Sequence, residues 1–140
     1  AEYRFPYQDA FFDFVSLTSV FTHMLAADMQ NYLSEISRVL KPGGRCLITF
    51  FLLNEDSKGL LSQGLGNPKF PYAGQDCMLS LEEHPEAAVA FEESFIRQDY
   101  GARGLEIIEP IRYGSWCGRK QGLSYQDIVM AAKKPGDFKG

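Results

Sequence analysis

Apolar residues recur every three or four positions through Met29, Tyr32, Leu33, Ile36, Val39 and Leu40. Asp28, Gln30, Asn31, Ser34, Glu35 and Arg38 fill the places between them. That spacing predicts an amphipathic helix with one buried stripe. Lys41-Pro42-Gly43-Gly44 ends it, because proline cannot extend a helix and glycine accepts a positive φ. The helix is flanked by two apolar runs that read as strands, Phe12–Leu17 and Arg45–Phe51. Their near-continuous apolar character suits strands covered on both faces. Strand, helix and strand form one right-handed crossover unit of a parallel sheet.

Beyond Phe51 the pattern is less regular. Asn54 is placed to cap a short helix reaching Leu60 or Leu61. Gly64, Gly66, Asn67, Pro68, Pro71 and Gly74 make a turn-rich stretch, so residues 52–85 read as a loop or lid insertion. Residues 86–103 read as a helix carrying Phe91, Phe95 and Ile96 on one side. A strand over Leu105–Tyr113 follows, with Pro110 implying a bulge or an outward N–H. The last strand covers Gln126–Ala132. No helix separates these two strands, so they pair antiparallel across a long loop. Residues 1–140 read as a single α/β domain, mostly parallel, with an antiparallel strand near one edge.

Composition narrows the partners. The chain has 140 residues, 45% of them hydrophobic, and a formal charge of −4. That charge gives no electrostatic reason to expect nucleic acid or an anionic membrane. No apolar run approaches the roughly 20 residues of a membrane span. The three cysteines, Cys46, Cys77 and Cys117, are odd in number and widely spaced. They are neither a disulfide framework nor a zinc motif. A reducing, cytoplasmic compartment fits them best. No metal site is expected. The run Glu82, Glu83, His84 and Glu86 reads as the solvated start of a helix.

Four segments together resemble the C-terminal half of the class I S-adenosylmethionine-dependent methyltransferases. Phe5-Pro6-Tyr7-Gln8-Asp9-Ala10-Phe11-Phe12-Asp13-Phe14-Val15 resembles that family's run into its fourth strand. Glu35-Ile36-Ser37-Arg38-Val39-Leu40-Lys41-Pro42-Gly43-Gly44-Arg45 resembles its helix, turn and fifth strand. Gly104-Leu105-Glu106-Ile107 resembles the entry into its sixth strand, and Tyr113-Gly114-Ser115-Trp116 the loop beyond that strand. The resemblance implies a Rossmann-like three-layer sandwich in which the last strand inserts antiparallel. It also implies S-adenosylmethionine as cofactor and a small molecule as methyl acceptor. The family's glycine-rich loop and its ribose-binding acidic residue have no counterpart in these 140 residues. The expectation is therefore a partial domain, strands four to seven, inactive alone. A non-catalytic binding or assembly module with a degenerate methyltransferase fold is the alternative.

Site expectations come from the rule that open α/β sheets bind ligands beyond the carboxyl ends of their strands. For the first strand that end is Leu17-Thr18-Ser19, which the resemblance places against the methionine part of the cofactor. Thr18 and Ser19 otherwise cap the turn Val20–His23. Glu2 lies near the family's adenine-contacting acid. His23 is the candidate catalytic base, with a pKa near working pH; otherwise it packs under the first helix. Thr22, Tyr113, Ser115 and Trp116 take the substrate side by resemblance. Trp116 stacks on an aromatic acceptor or else anchors the hairpin loop. Asp127 reads as structural. The open edge of Phe12–Leu17 is an apolar sheet margin of the kind that pairs with a second copy.

Overall fold

β1 (Phe12–Leu17) and β2 (Leu40–Phe50) are neighbouring co-directional strands, with Val15 opposite Cys46 and Leu17 opposite Ile48. α1 (Ala26–Val39) connects them and buries Met29, Leu33, Ile36 and Val39. This is the crossover unit that the periodicity implies. The computed structural model describes residues 3–135. β2 starts five residues earlier than the apolar run suggests. Phe12 pairs with Leu40 and Phe14 with Arg45, so Pro42, Gly43 and Gly44 are looped out of register. Gly43 makes this possible at φ +81°.

The remaining elements are β3 (Leu52–Leu53), α2 (Glu55–Ser62), β4 (Tyr72–Gly74), β5 (Cys77–Leu79), β6 (Val89–Glu92), α3 (Glu93–Ala102), β7 (Leu105–Ile107) and β8 (Asp127–Lys133). The first sheet has the order β1-β2-β8-β7, and β8 runs antiparallel to both of its neighbours. The final strand thus inserts in the middle of the sheet, with β1, β2 and β7 sharing one direction.

A second four-stranded sheet, β3-β6-β5-β4, grows from the carboxyl end of β2. It corrects two expectations. Residues 52–85 are not simply a loop: they form α2 and a β4–β5 hairpin. α2 does carry the expected cap, since Asn54 Oδ1 accepts from Ser57 N at 2.9 Å and Ser57 Oγ accepts from Asn54 N at 2.9 Å. The helix expected over 86–103 begins only at Glu93. Val89–Glu92 is a strand because Leu52–Leu53 and Met78–Leu79 offer it ladders on both sides. The strand expected over 105–113 stops at Ile107. Pro110 has no N–H to donate, and the chain rejoins β8 only at the bridge between Arg112 and Ile128.

α1 and α3 cover the same face of the first sheet. Gln30 Nε2 donates to both oxygens of Asp99 at 3.1 Å, and Ser37 Oγ donates to Arg103 O at 2.7 Å. Beneath them lie Cys46, Ile48, Phe50, Val129 and Ala131. The three-layer arrangement is therefore met on one side. The opposite rows, Phe14–Arg45–Ala132 and Ser16–Leu47–Met130, carry no helix among the described residues. A smaller cluster of Phe51, Leu53, Phe70, Trp116 and Cys117 joins the second sheet to the loop after β7.

Candidate functional site

The loop leaving β1 is fixed at the carboxyl end of the sheet by two distant segments. Ser19 sits at φ +60°. Its N–H donates to Thr49 Oγ1 at 2.9 Å, and its Oγ donates to Gln126 Oε1 at 3.3 Å. Thr49 belongs to β2 and Gln126 directly precedes β8. Leu17 packs half-buried on the core, while Thr18 stands exposed at the tip. Ser19 is not the cap of the next turn: Val20 holds the N-cap position and makes no side-chain cap bond.

That turn, Phe21–His23, is one turn of 3-10 helix seated on the sheet through Phe21, whose ring centroid is 5.6 Å from that of Phe50. Thr22 is fully buried and its Oγ1 has no partner. It faces the interior, not an open substrate side. His23 is exposed rather than packed beneath α1. Its Nδ1 lies 2.9 Å from Ala87 O and 3.2 Å from Glu86 O. A carbonyl oxygen only accepts, so Nδ1 is the donor in both contacts, and Nε2 makes no hydrogen bond among the described residues.

On the other flank Asp127 organises the loop after β7. It is fully buried. Its Oδ1 accepts from Gly114 N at 2.7 Å, and its Oδ2 from Leu52 N at 2.7 Å and Trp116 Nε1 at 2.9 Å. Burial pushes this carboxyl up from its ordinary value, while the three N–H bonds and the Arg119 charge pull it back. Trp116 is 1% exposed and packs on Phe51 and Phe70. The alternative of a stacking platform is therefore corrected: the indole has no free face, and Trp116 anchors the loop. Ser115 is half-buried and donates its N–H to Ser124 O at 3.1 Å.

Tyr113 donates its hydroxyl to Glu93 Oε1 at 2.8 Å, and the Arg119 guanidinium lies 4.9 Å from its ring centre. Burial, then the bond to Glu93, pushes the phenol up. Burial alone would raise Glu93, but bonds from Asn54, Tyr113 and Arg97 outweigh it and hold the carboxyl below its ordinary 4.5. Its stabilising contribution is thus present above about pH 4.5 and lost as the pH falls through the lowered value. Glu35, held down mainly by Arg38, acts in the same direction. Asp127 acts in the opposite one. Thermal melts should therefore show the midpoint falling below pH 4.5, and Glu93→Gln should flatten that acid branch.

The structure brings Leu17–Ser19 to Thr49 and Gln126, and holds His23 against Glu86 and Ala87. It links Tyr113 to Glu93 and Arg119. Among the described residues no hydrogen bond joins His23 to the Tyr113–Trp116 loop. Glu2 lies outside the described residues. Sequence reasoning missed Thr49, Gln126, Glu93 and Arg119. Only Thr49 left a signal, as a polar residue inside an apolar strand. The three thiols are buried, and burial raises all of them, Cys46 to about 12, so none is a ready nucleophile. Among the described residues no group of three or more His, Cys, Asp or Glu side chains is placed to hold a metal ion.

A family model described as a methyltransferase domain matches residues 1–48. The coordinates superpose on an S-adenosylmethionine-dependent methyltransferase from Methanosarcina mazei with a TM-score of 0.63 at 20% identity, over 94% of this chain. The fold is that of the class I S-adenosylmethionine-dependent methyltransferases. The chain spans 64% of that M. mazei protein. It also resembles Burkholderia thailandensis 1,6-didemethyltoxoflavin-N1-methyltransferase, solved with 1,6-didemethyltoxoflavin and S-adenosylhomocysteine (TM-score 0.55, 17% identity, 90% of this chain and 45% of that one). A third similar structure is the [4+2]-cyclase SpnF (TM-score 0.56, 18% identity, 94% and 53%). The methyltransferase fold therefore includes proteins named for another reaction.

At the Leu17–Ser19 rim Thr18 and Ser19 are exposed, while the Ser19 N–H is already bonded to Thr49 Oγ1. No glycine-rich loop follows any of the described strands.

Proposed function

We propose that this chain supplies strands four to seven of a domain transferring a methyl group from S-adenosylmethionine to a small molecule, and that it is inactive by itself. The observation that carries the reading is β8 inserted antiparallel beside the parallel β1–β2 pair, with the rim after β1 pinned to both β2 and β8. S-adenosylmethionine, when bound, supplies an electrophilic methyl group on a sulfonium. Leu17, Thr18 and Ser19 hold its methionine portion, with Glu2 assigned to the adenine side. His23 takes a proton at Nε2 from an acceptor hydroxyl or amine. Tyr113 and Ser115 border the acceptor, while Thr22 and Trp116 support them from the interior.

Titration calorimetry with S-adenosylhomocysteine tests the reading. Heat is expected when residues 1–140 are joined to a segment bearing a glycine-rich loop, and not from residues 1–140 alone. No heat from the joined form removes the enzyme reading and leaves a non-catalytic binding or assembly module. In the joined form, His23→Asn is expected to lower kcat about 100-fold with the KM for the donor unchanged.

The same reading places the protein in a reducing, cytoplasmic compartment, consistent with three free thiols. No helix among the described residues is long and apolar enough to cross a membrane. β1 has no partner on its outer side among the described residues, and Phe14 beside that edge is 51% exposed. A second copy pairs there in the proposed assembly. Sedimentation velocity should show a concentration-dependent dimer, weakened by Phe14→Lys. A monomer at every concentration would end that part of the proposal.

A further inference from the structure

A cavity of about 360 Å³ lies between the start of α1 and the β4–β5 hairpin. None of the candidate site residues lines it. Its volume is within the range of small-molecule sites. Leu25, Ala26, Ala27, Leu79 and Pro85 give it an apolar wall. Asp76, at the turn of the hairpin, is the one charged residue lining it. That carboxylate is exposed and forms no ion pair among the described residues. Pro85, on the far wall, begins the Pro85–Ala87 turn whose Glu86 and Ala87 carbonyls hold His23.

The sign of the field is set by the charges nearby. The N-terminus of α1 carries roughly half a positive charge. The Asp76 carboxylate, which forms no ion pair among the described residues, faces the same cavity and opposes that partial charge. We infer that this cavity binds a small, mainly apolar molecule bearing a neutral or cationic amine or hydroxyl group toward Asp76, and that it discriminates against acids. The ligand's role as methyl acceptor rests on the methyl-transfer reading; its binding does not.

The experiment uses the 140-residue chain and two probes of one shape, 2-naphthylmethylamine and 2-naphthoate, followed by amide chemical shifts. The amine is expected to give saturable shifts at Ala27, Gln75 and Cys77, with affinity about tenfold above that of the carboxylate. Asp76→Asn should lower amine affinity about threefold, the scale of one exposed charge pair. Ala27→Trp, at an exposed helix position, should fill the cavity and remove both interactions while leaving the remaining amide pattern intact. No saturable shifts at these residues, or equal affinity for the two probes, would overturn the assignment. Neither probe involves the methyl donor. Failure to bind S-adenosylhomocysteine leaves this result standing, and failure of the probes leaves the transfer reading standing.

Discussion

Asp127→Ala is expected to remove about 4–6 kcal/mol of stability, enough to unfold a domain of ordinary margin. Three donors depend on this one carboxylate: Leu52 N, Gly114 N and Trp116 Nε1. All three lie in the interior around a fully buried residue. An orphaned buried donor costs about 1–3 kcal/mol, because water does not replace its lost partner. The costs are not independent, so the estimate lies below their simple sum. Asp127→Asn keeps the shape but turns an NH2 toward N–H donors. Its cost is expected to be about 2–4 kcal/mol. Urea denaturation of the three proteins gives the ranking directly, and a midpoint for the alanine variant near that of the parent would refute it. The same variants should loosen the rim after β1, since Gln126, which accepts from Ser19, is the neighbour of Asp127 in sequence.

The second large effect comes from Gly114→Ala. A Cβ there would lie 2.4 Å from both Tyr125 O and Gln126 O. These are backbone atoms of the segment that leads into β8, so no side-chain rotation relieves the clash. The loop would have to separate from β8, at a cost of about 3–5 kcal/mol. For a chain of this size that lowers the melting midpoint by on the order of 10–15 °C. Gly59→Ala is the matched control. It lies inside α2 with nothing within 4 Å of the added atom. There alanine should stabilise by about 0.5–1 kcal/mol. Equal melting points for the two variants would show that Gly114 has more room than these distances imply.

The line between the elements legible in the sequence and those hidden there is a physical one. The β1–α1–β2 unit is legible because its signals are local and repeated. Met29, Tyr32, Leu33, Ile36 and Val39 of α1 share one face, and both strands are apolar runs. The cap at Asn54 is legible for the same reason. The second sheet is not, because its strands are two to four residues long and set among prolines and glycines. Such strands are defined by their partners, not by their own pattern. Phe91 shows the ambiguity well. Phe91, Phe95 and Ile96 fit a helical spacing, yet Phe91 pairs with Leu52 in a ladder. Only from Glu93 does the helix win, where no partner strand is left.

The site obeys the same rule. Leu17, Thr18 and Ser19 stand out because they end a recognisable strand. The residues that fix them, Thr49 and Gln126, lie 30 and 107 positions from Ser19, beyond the reach of any local pattern. His23 reads as a base from its residue type, but its Nδ1 donates to carbonyls more than sixty positions away. Trp116 illustrates the opposite error. A tryptophan in a glycine-flanked loop suggests a binding platform, whereas Asp127 and two phenylalanines bury it.

One consequence concerns synthesis. β8 occupies an interior place in the first sheet, between β2 and β7, although it follows every other described strand in sequence. While residues 127–133 are still inside the ribosome, β7 has no neighbour, Asp127 cannot gather its three donors, and the loop carrying Trp116 has nothing to close upon. Until translation delivers residues 127–133, the nascent chain holds α1 against a β1–β2 pair that lacks its inner neighbour.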